Sequence, residues 1–137
     1  MAFLIDSSVL IDIERQASGL SSLVERLGDE SVGMAAITAS ELLHGVHRAD
    51  SALRRARRER FVEAVLSAVA VYPFDLDVAR VHARVWADLA AAGCRIGAHD
   101  LIIAATALTH ELALATGNAD EFRRVEGLQL IAGWTTP

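Results

Sequence analysis

The chain contains no lysine; all 13 of its basic residues are arginine. That absence argues against α/β phosphoryl-transfer domains of the receiver or haloacid-dehalogenase-like type, which use a lysine beside their aspartates. The latter also need Asp-x-Asp after the first strand, where this chain has Asp6-Ser7-Ser8. There is one cysteine, Cys94, so no internal disulfide can form, which fits a reducing compartment. No base lies near Cys94 in sequence to make it a nucleophile. No stretch approaches the ~18 uninterrupted apolar residues of a membrane-spanning helix. The N-terminus has no basic leader region, and Asp6 and Asp12 interrupt any leader-like apolar run. The expectation is a cytoplasmic protein with no membrane association. No repeat, low-complexity tract or linker divides the 137 residues, so residues 1–137 are expected to form one domain.

What is present is apolar and acidic. The hydrophobic fraction is 53% and the net charge −5, which does not suggest a nucleic-acid binder by bulk electrostatics. The mean hydropathy of +0.32 owes much to alanine and points to a compact, helix-rich protein. Against the acidic background, Arg54, Arg55, Arg57, Arg58 and Arg60 form one local basic run.

Short apolar runs alternate with helical patterns. Strands are expected at residues 2–5, 32–37, 69–72, 112–115 and 128–131. Helices are expected at 8–14, 20–27, 39–48, 51–70, 75–92, 98–111 and 118–124, with Gly19, Gly28 and Gly93 as breakers and Pro73 closing the third strand. This alternation predicts an α/β fold: three layers, α/β/α, around a mostly parallel sheet of four to five strands. In such sheets ligands bind at the carboxyl ends of the strands.

Acidic and amide residues recur at that rim. Asp6 ends the first apolar run, as a helix cap or as a site residue. Glu41 follows the second run in Thr38-Ala39-Ser40-Glu41, which has the form of a capping box with Thr38 at the N-cap. Asp100 stands in the first turn of a helix that is almost wholly apolar from Leu101 to Leu108, so it is carried to the interior edge of the protein. Asn118 and Glu121 form a second possible capping box, with Asp120 between them. Carboxylates grouped ~4 Å apart repel by on the order of 4 kcal/mol per pair at an effective dielectric of ~20. Such a group persists when protonated or when it holds a cation, and all-oxygen donors favour Mg²⁺ or Mn²⁺.

Four motifs in this order resemble the PIN-domain ribonucleases, specifically VapC-type toxins of type II toxin–antitoxin pairs. They are Ile5-Asp6-Ser7-Ser8; Ser40-Glu41-Leu42 with Gly45 and Arg48; Gly97-Ala98-His99-Asp100-Leu101-Ile102-Ile103-Ala104-Ala105; and Thr116-Gly117-Asn118 followed by Glu121-Phe122. The resemblance implies Mg²⁺-dependent hydrolysis of phosphodiester bonds in a structured RNA such as tRNA or ribosomal RNA. Mn²⁺ is expected to substitute. It also implies a cognate VapB-type antitoxin and a homodimer. By the same resemblance Asp6, Glu41 and Asp100 form an acidic triad that ligates the metal. The family's fourth acidic position falls on Asn118, and Asn118, Asp120 or Glu121 completes the site. Glu41 is the candidate to orient or deprotonate water. The alternative is a PIN-like module without catalysis, acting through protein contacts alone.

Further residues carry weaker expectations. Ser7 and Ser8 can bond Asp6 or a substrate phosphate, and His99 can support Asp100. Arg55 and Arg58 share a helical stripe with Val62, Val65 and Val69, which predicts a basic end facing RNA or the antitoxin. His44 and His47 read as surface or packing residues. Trp86 reads as core or dimer interface, and Trp134 as packing for the C-terminus.

Overall fold

The computed structural model describes residues 2–16 and 31–132. The helix expected at 20–27 and the packing role expected of Trp134 fall outside the described residues. Phe3, Leu4 and Ile5 form strand β1 (Phe3–Ile5), buried throughout, and α1 (Ser7–Gln16) follows. Then come β2 (Val32–Ala35), α2 (Ala36–His47), α3 (Ala52–Ala68), β3 (Ala70–Tyr72), α4 (Leu76–Ala91), α5 (Ala98–Thr109), β4 (Ala113–Thr116), α6 (Ala119–Phe122) and β5 (Leu130–Ala132).

The strands form one five-stranded sheet in the order β3-β2-β1-β4-β5, and every pairing is parallel. Side chains alternate across it, as the two-residue period of a strand requires. Phe3, Ile5, Val32, Met34 and Ala115 face a core closed by Leu10, Leu42, Phe61, Val62 and Val65 of α1, α2 and α3. Leu4 and Leu114 face the opposite core, with Val85, Leu89, Leu101, Ile103 and Phe122 of α4, α5 and α6. This is the expected three-layer α/β/α arrangement, covered on both faces as parallel sheets are. Each fully buried Leu or Ile contributes about 1.5–3 kcal/mol, and β1 sits at the centre of both cores. Gly33 is needed for close packing: a Cβ there would lie 2.5 Å from the Tyr72 ring.

Strong local signals place several helix ends. The Ser51 hydroxyl accepts from Arg54 N at the start of α3, and Asp75 accepts from Val78 N at the start of α4. Gly93, with φ +70°, follows the end of α4. The second strand departs from expectation. It ends at Ala35, and residues 36 and 37 are already helical. Its last pairing is Ala35 with Tyr72, and Pro73 cannot extend the ladder. Thr38 is therefore not an N-cap but the third residue of α2, fully buried. Ala35 stands at the N-cap with no side-chain capping bond, so the first capping box does not form.

Candidate active site

Asp6 leaves β1 at the carboxyl rim, where its N–H donates to Ala115 O of β4 at 3.0 Å. Its side chain is buried and accepts from three hydroxyls: Thr116 Oγ1 at 2.7 Å, Ser8 Oγ at 3.1 Å and Ser7 Oγ at 3.4 Å. Ser8 also accepts from Gly117 N, and Thr116 from Asn118 N. The β4–α6 turn is thus tied to the β1–α1 turn through hydroxyls.

The helices bring the other carboxylates to the same rim. Glu41 stands in the second turn of α2, with Oε2 3.7 Å from His99 Nδ1. Its Oε1 is buried and has no hydrogen-bond partner among the described residues. Burial raises the Glu41 pKa, the neighbouring Asp6 charge adds to this, and His99 and Ser7 oppose it. Asp100, in the first turn of α5, is pushed up to about 6, first by burial and then by the charges of Asp6, Glu121 and Glu41. Glu121 is held below its ordinary value because Oε1 accepts from Gly97 N and Oε2 from Asn118 Nδ2, each at 2.7 Å. The second capping box therefore does not form as expected: the Asn118 side chain makes no cap bond and reaches Glu121 instead.

The charge of Asp6 thus reaches Glu41 and Asp100, and Glu121 and Glu41 reach Asp100, at one rim with Ser7, Ser8, His99 and Asn118 beside them. Among the described residues, no three His, Cys, Asp or Glu side chains stand as a ready cage for a metal ion. Asp120 is turned toward Arg123 and almost fully exposed, and pairs with it rather than with the other carboxylates. Arg58 is engaged within the chain, donating to Gly45 O at 3.2 Å and pairing with Glu14 at 3.5 Å. Arg55 is exposed, while Val62 and Val65 of the same stripe are buried as expected. His44 and His47 lie on the surface. Trp86 is 61% exposed and so is not a core residue.

Residues 3–128 match the PIN domain family. Ribonuclease VapC1 of Rickettsia felis is 34% identical over 131 residues, 96% of each chain. This chain belongs to the PIN-domain family, among its VapC members. The tRNA(fMet)-specific endonuclease VapC of Salmonella typhimurium is 31% identical over 97 residues, 71% of each chain. In the crystal structure of DNA-bound VapBC from Salmonella typhimurium, the matching chain has a TM-score of 0.82 and 25% identity, covering 96% of this chain and 97% of that one. Against this PIN framework, the residue that sequence reasoning missed is Thr116. It lay inside the quoted Thr116-Gly117-Asn118 motif, but the hydroxyl's partner is 110 residues away, beyond the reach of local patterning.

Proposed function

We propose that the chain is the toxin of a type II toxin–antitoxin pair. In this reading it is an Mg²⁺-dependent endoribonuclease that hydrolyses phosphodiester bonds in structured RNA and is neutralised by a cognate VapB-type antitoxin. The observation that carries it is the convergence of Asp6, Glu41 and Asp100, from three separate elements, on one strand-end rim where each raises or feels the others' charge. The relatives' names support the RNA substrate, with tRNA favoured by the endonuclease from Salmonella typhimurium. The VapBC complex supports the antitoxin. Residues 1–137 are read as one PIN domain that acts in the cytoplasm; no helix among the described residues is long and apolar enough to cross a membrane. The exposed Phe74, Leu76 and Trp86 support a homodimer.

The donor set fits a hard divalent cation. It is all oxygen, it concentrates negative charge, and the buried Glu41 Oε1 lacks a partner among the described residues. Asp6, Asp100 and Glu41 would hold the ion, which when bound supplies Lewis-acid activation of the scissile phosphate and of water. Glu41, its pKa raised by burial, is suited to orient the attacking water or to take its proton. His99 stands beside Glu41 and steadies its charged form. Ser7, Ser8 and Thr116 fix the Asp6 carboxylate. The exposure of Arg55 supports a contact with RNA or antitoxin, whereas Arg58 is engaged with Gly45 and Glu14.

One observation favours the reading as a non-catalytic interaction module: among the described residues, no three His, Cys, Asp or Glu side chains already form a metal cage. That module would bind no Mn²⁺. The test is cleavage of tRNA and ribosomal RNA with Mg²⁺, with EDTA, and by Asp6→Ala. Cleavage that needs Mg²⁺ and is abolished by Asp6→Ala is expected; cleavage indifferent to both overturns the proposal.

A further inference from the structure

The β4–α6 turn does more than close the rim. Glu121 of α6 and Arg124, just past the end of that helix, both reach to the backbone that leads into α5: Glu121 Oε1 accepts from Gly97 N at 2.7 Å, and Arg124 Nη1 donates to Arg95 O. Gly97 O in turn accepts from Leu101 N at 2.9 Å, in the turn that carries Asp100. A Cβ on Gly97 would lie 3.6 Å from Asp100 Oδ2 and 3.7 Å from Glu121 Oε1, so this glycine sits between the two carboxylates. At its other end the same turn holds Asp6 through Thr116 Oγ1, which also accepts from Asn118 N.

We propose that Glu121 is a positioning residue rather than a fourth metal ligand: with Arg124 it braces residues 95–97 so that α5 presents Asp100 to the rim already gripped by Asp6. This rests on the metal-dependent reading above. The Glu121 oxygens accept from Gly97 N and Asn118 Nδ2, and the same carboxylate lies within hydrogen-bonding reach of the Asp100 carboxyl; a ligand role would compete with these bonds. The brace also explains why an amide occupies position 118. Asn118 Nδ2 donates to Glu121 Oε2, and an aspartate there would set a second carboxylate against the first.

The test uses Glu121→Gln, Glu121→Ala and Asn118→Asp in the full chain. The readouts are Mn²⁺ binding by calorimetry, RNA cleavage kinetics, and hydrogen exchange of the Gly97 amide. Glutamine keeps an acceptor for Gly97 N–H, and Asn118 can turn its amide to match. Glu121→Gln is therefore expected to restore Gly97 protection and most of the Mn²⁺ affinity and kcat. Glu121→Ala loses Gly97 protection and about tenfold in kcat, the loss typical of a supporting partner, with the KM for RNA unchanged. Asn118→Asp loses as much or more. The brace is overturned if Glu121→Gln weakens Mn²⁺ binding as severely as Glu121→Ala, or if Asn118→Asp tightens it. Should the wild type neither bind Mn²⁺ nor cut RNA, the functional reading fails, while Gly97 exchange still decides whether the brace exists.

Discussion

Two halves of the rim solve the same electrostatic problem differently. The strand-end half, built from the turns after β1 and β4, surrounds Asp6 with three hydroxyl donors. The helix half, built from α2 and α5, carries Glu41 with a buried oxygen unpartnered among the described residues and Asp100 with a pKa of about 6. Charge is satisfied on one side and left wanting on the other. On the metal-dependent reading proposed above, a cation would answer the need on the helix side, with the strand ends as its fixed point.

The sharpest way to break this comparison is to neutralise each aspartate in turn. Asp6→Asn and Asp100→Asn should both lower RNA cleavage by more than about 100-fold, as removing a metal ligand does, but their effects on folding should have opposite signs. Asp6→Asn disturbs a buried hydrogen-bonded carboxylate and should cost about 1–3 kcal/mol. Asp100 binds its proton more tightly folded than unfolded, so its contribution is complete below pH ~4 and is lost as pH rises through about 6. Asp100→Asn should accordingly raise the Tm by about 3 °C at pH 7.5 in EDTA and leave it unchanged near pH 4. Equal signs in the two melting series would erase the distinction.

A smaller effect is expected from Thr116→Val, which keeps the shape and deletes the 2.7 Å donor to Asp6. It should lower stability by about 1–2 kcal/mol, and urea unfolding checks this. The smallest effect concerns His99, which holds down the Glu41 pKa. In His99→Leu the acidic limb of the cleavage–pH profile should shift to higher pH by a few tenths of a unit; no shift would remove His99 from the site.

The legibility of these halves in the sequence follows from distance along the chain. Ser51, Asp75 and Gly93 were readable because each acts within a few residues, as the caps of α3 and the boundaries of α4 confirm. The apolar run ending in Asp6 was readable because burial of three consecutive residues marks a central parallel strand. The end of β2 was not, because Val-Gly-Met-Ala-Ala-Ile suits a buried strand or a buried helix equally. Only the loss of a pairing partner beyond Tyr72 decides it. Thr38 and Asn118 matched the pattern of capping boxes yet make no such caps. Glu121 finds its partner 24 residues back at Gly97, and no local pattern encodes that choice. Trp86 shows that a helical apolar stripe does not say whether the chain's own core will cover it.

The place of β1 in the sheet has a consequence for synthesis. Strand β1 is the middle one of the sheet, and its neighbour β4 is made more than 100 residues after it. Until then Asp6 has neither Ala115 to hold its backbone nor Thr116 to hold its carboxylate. A chain that has not yet reached β4 therefore lacks both groups that fix Asp6 at the rim, and the rim is assembled only when the two turns meet.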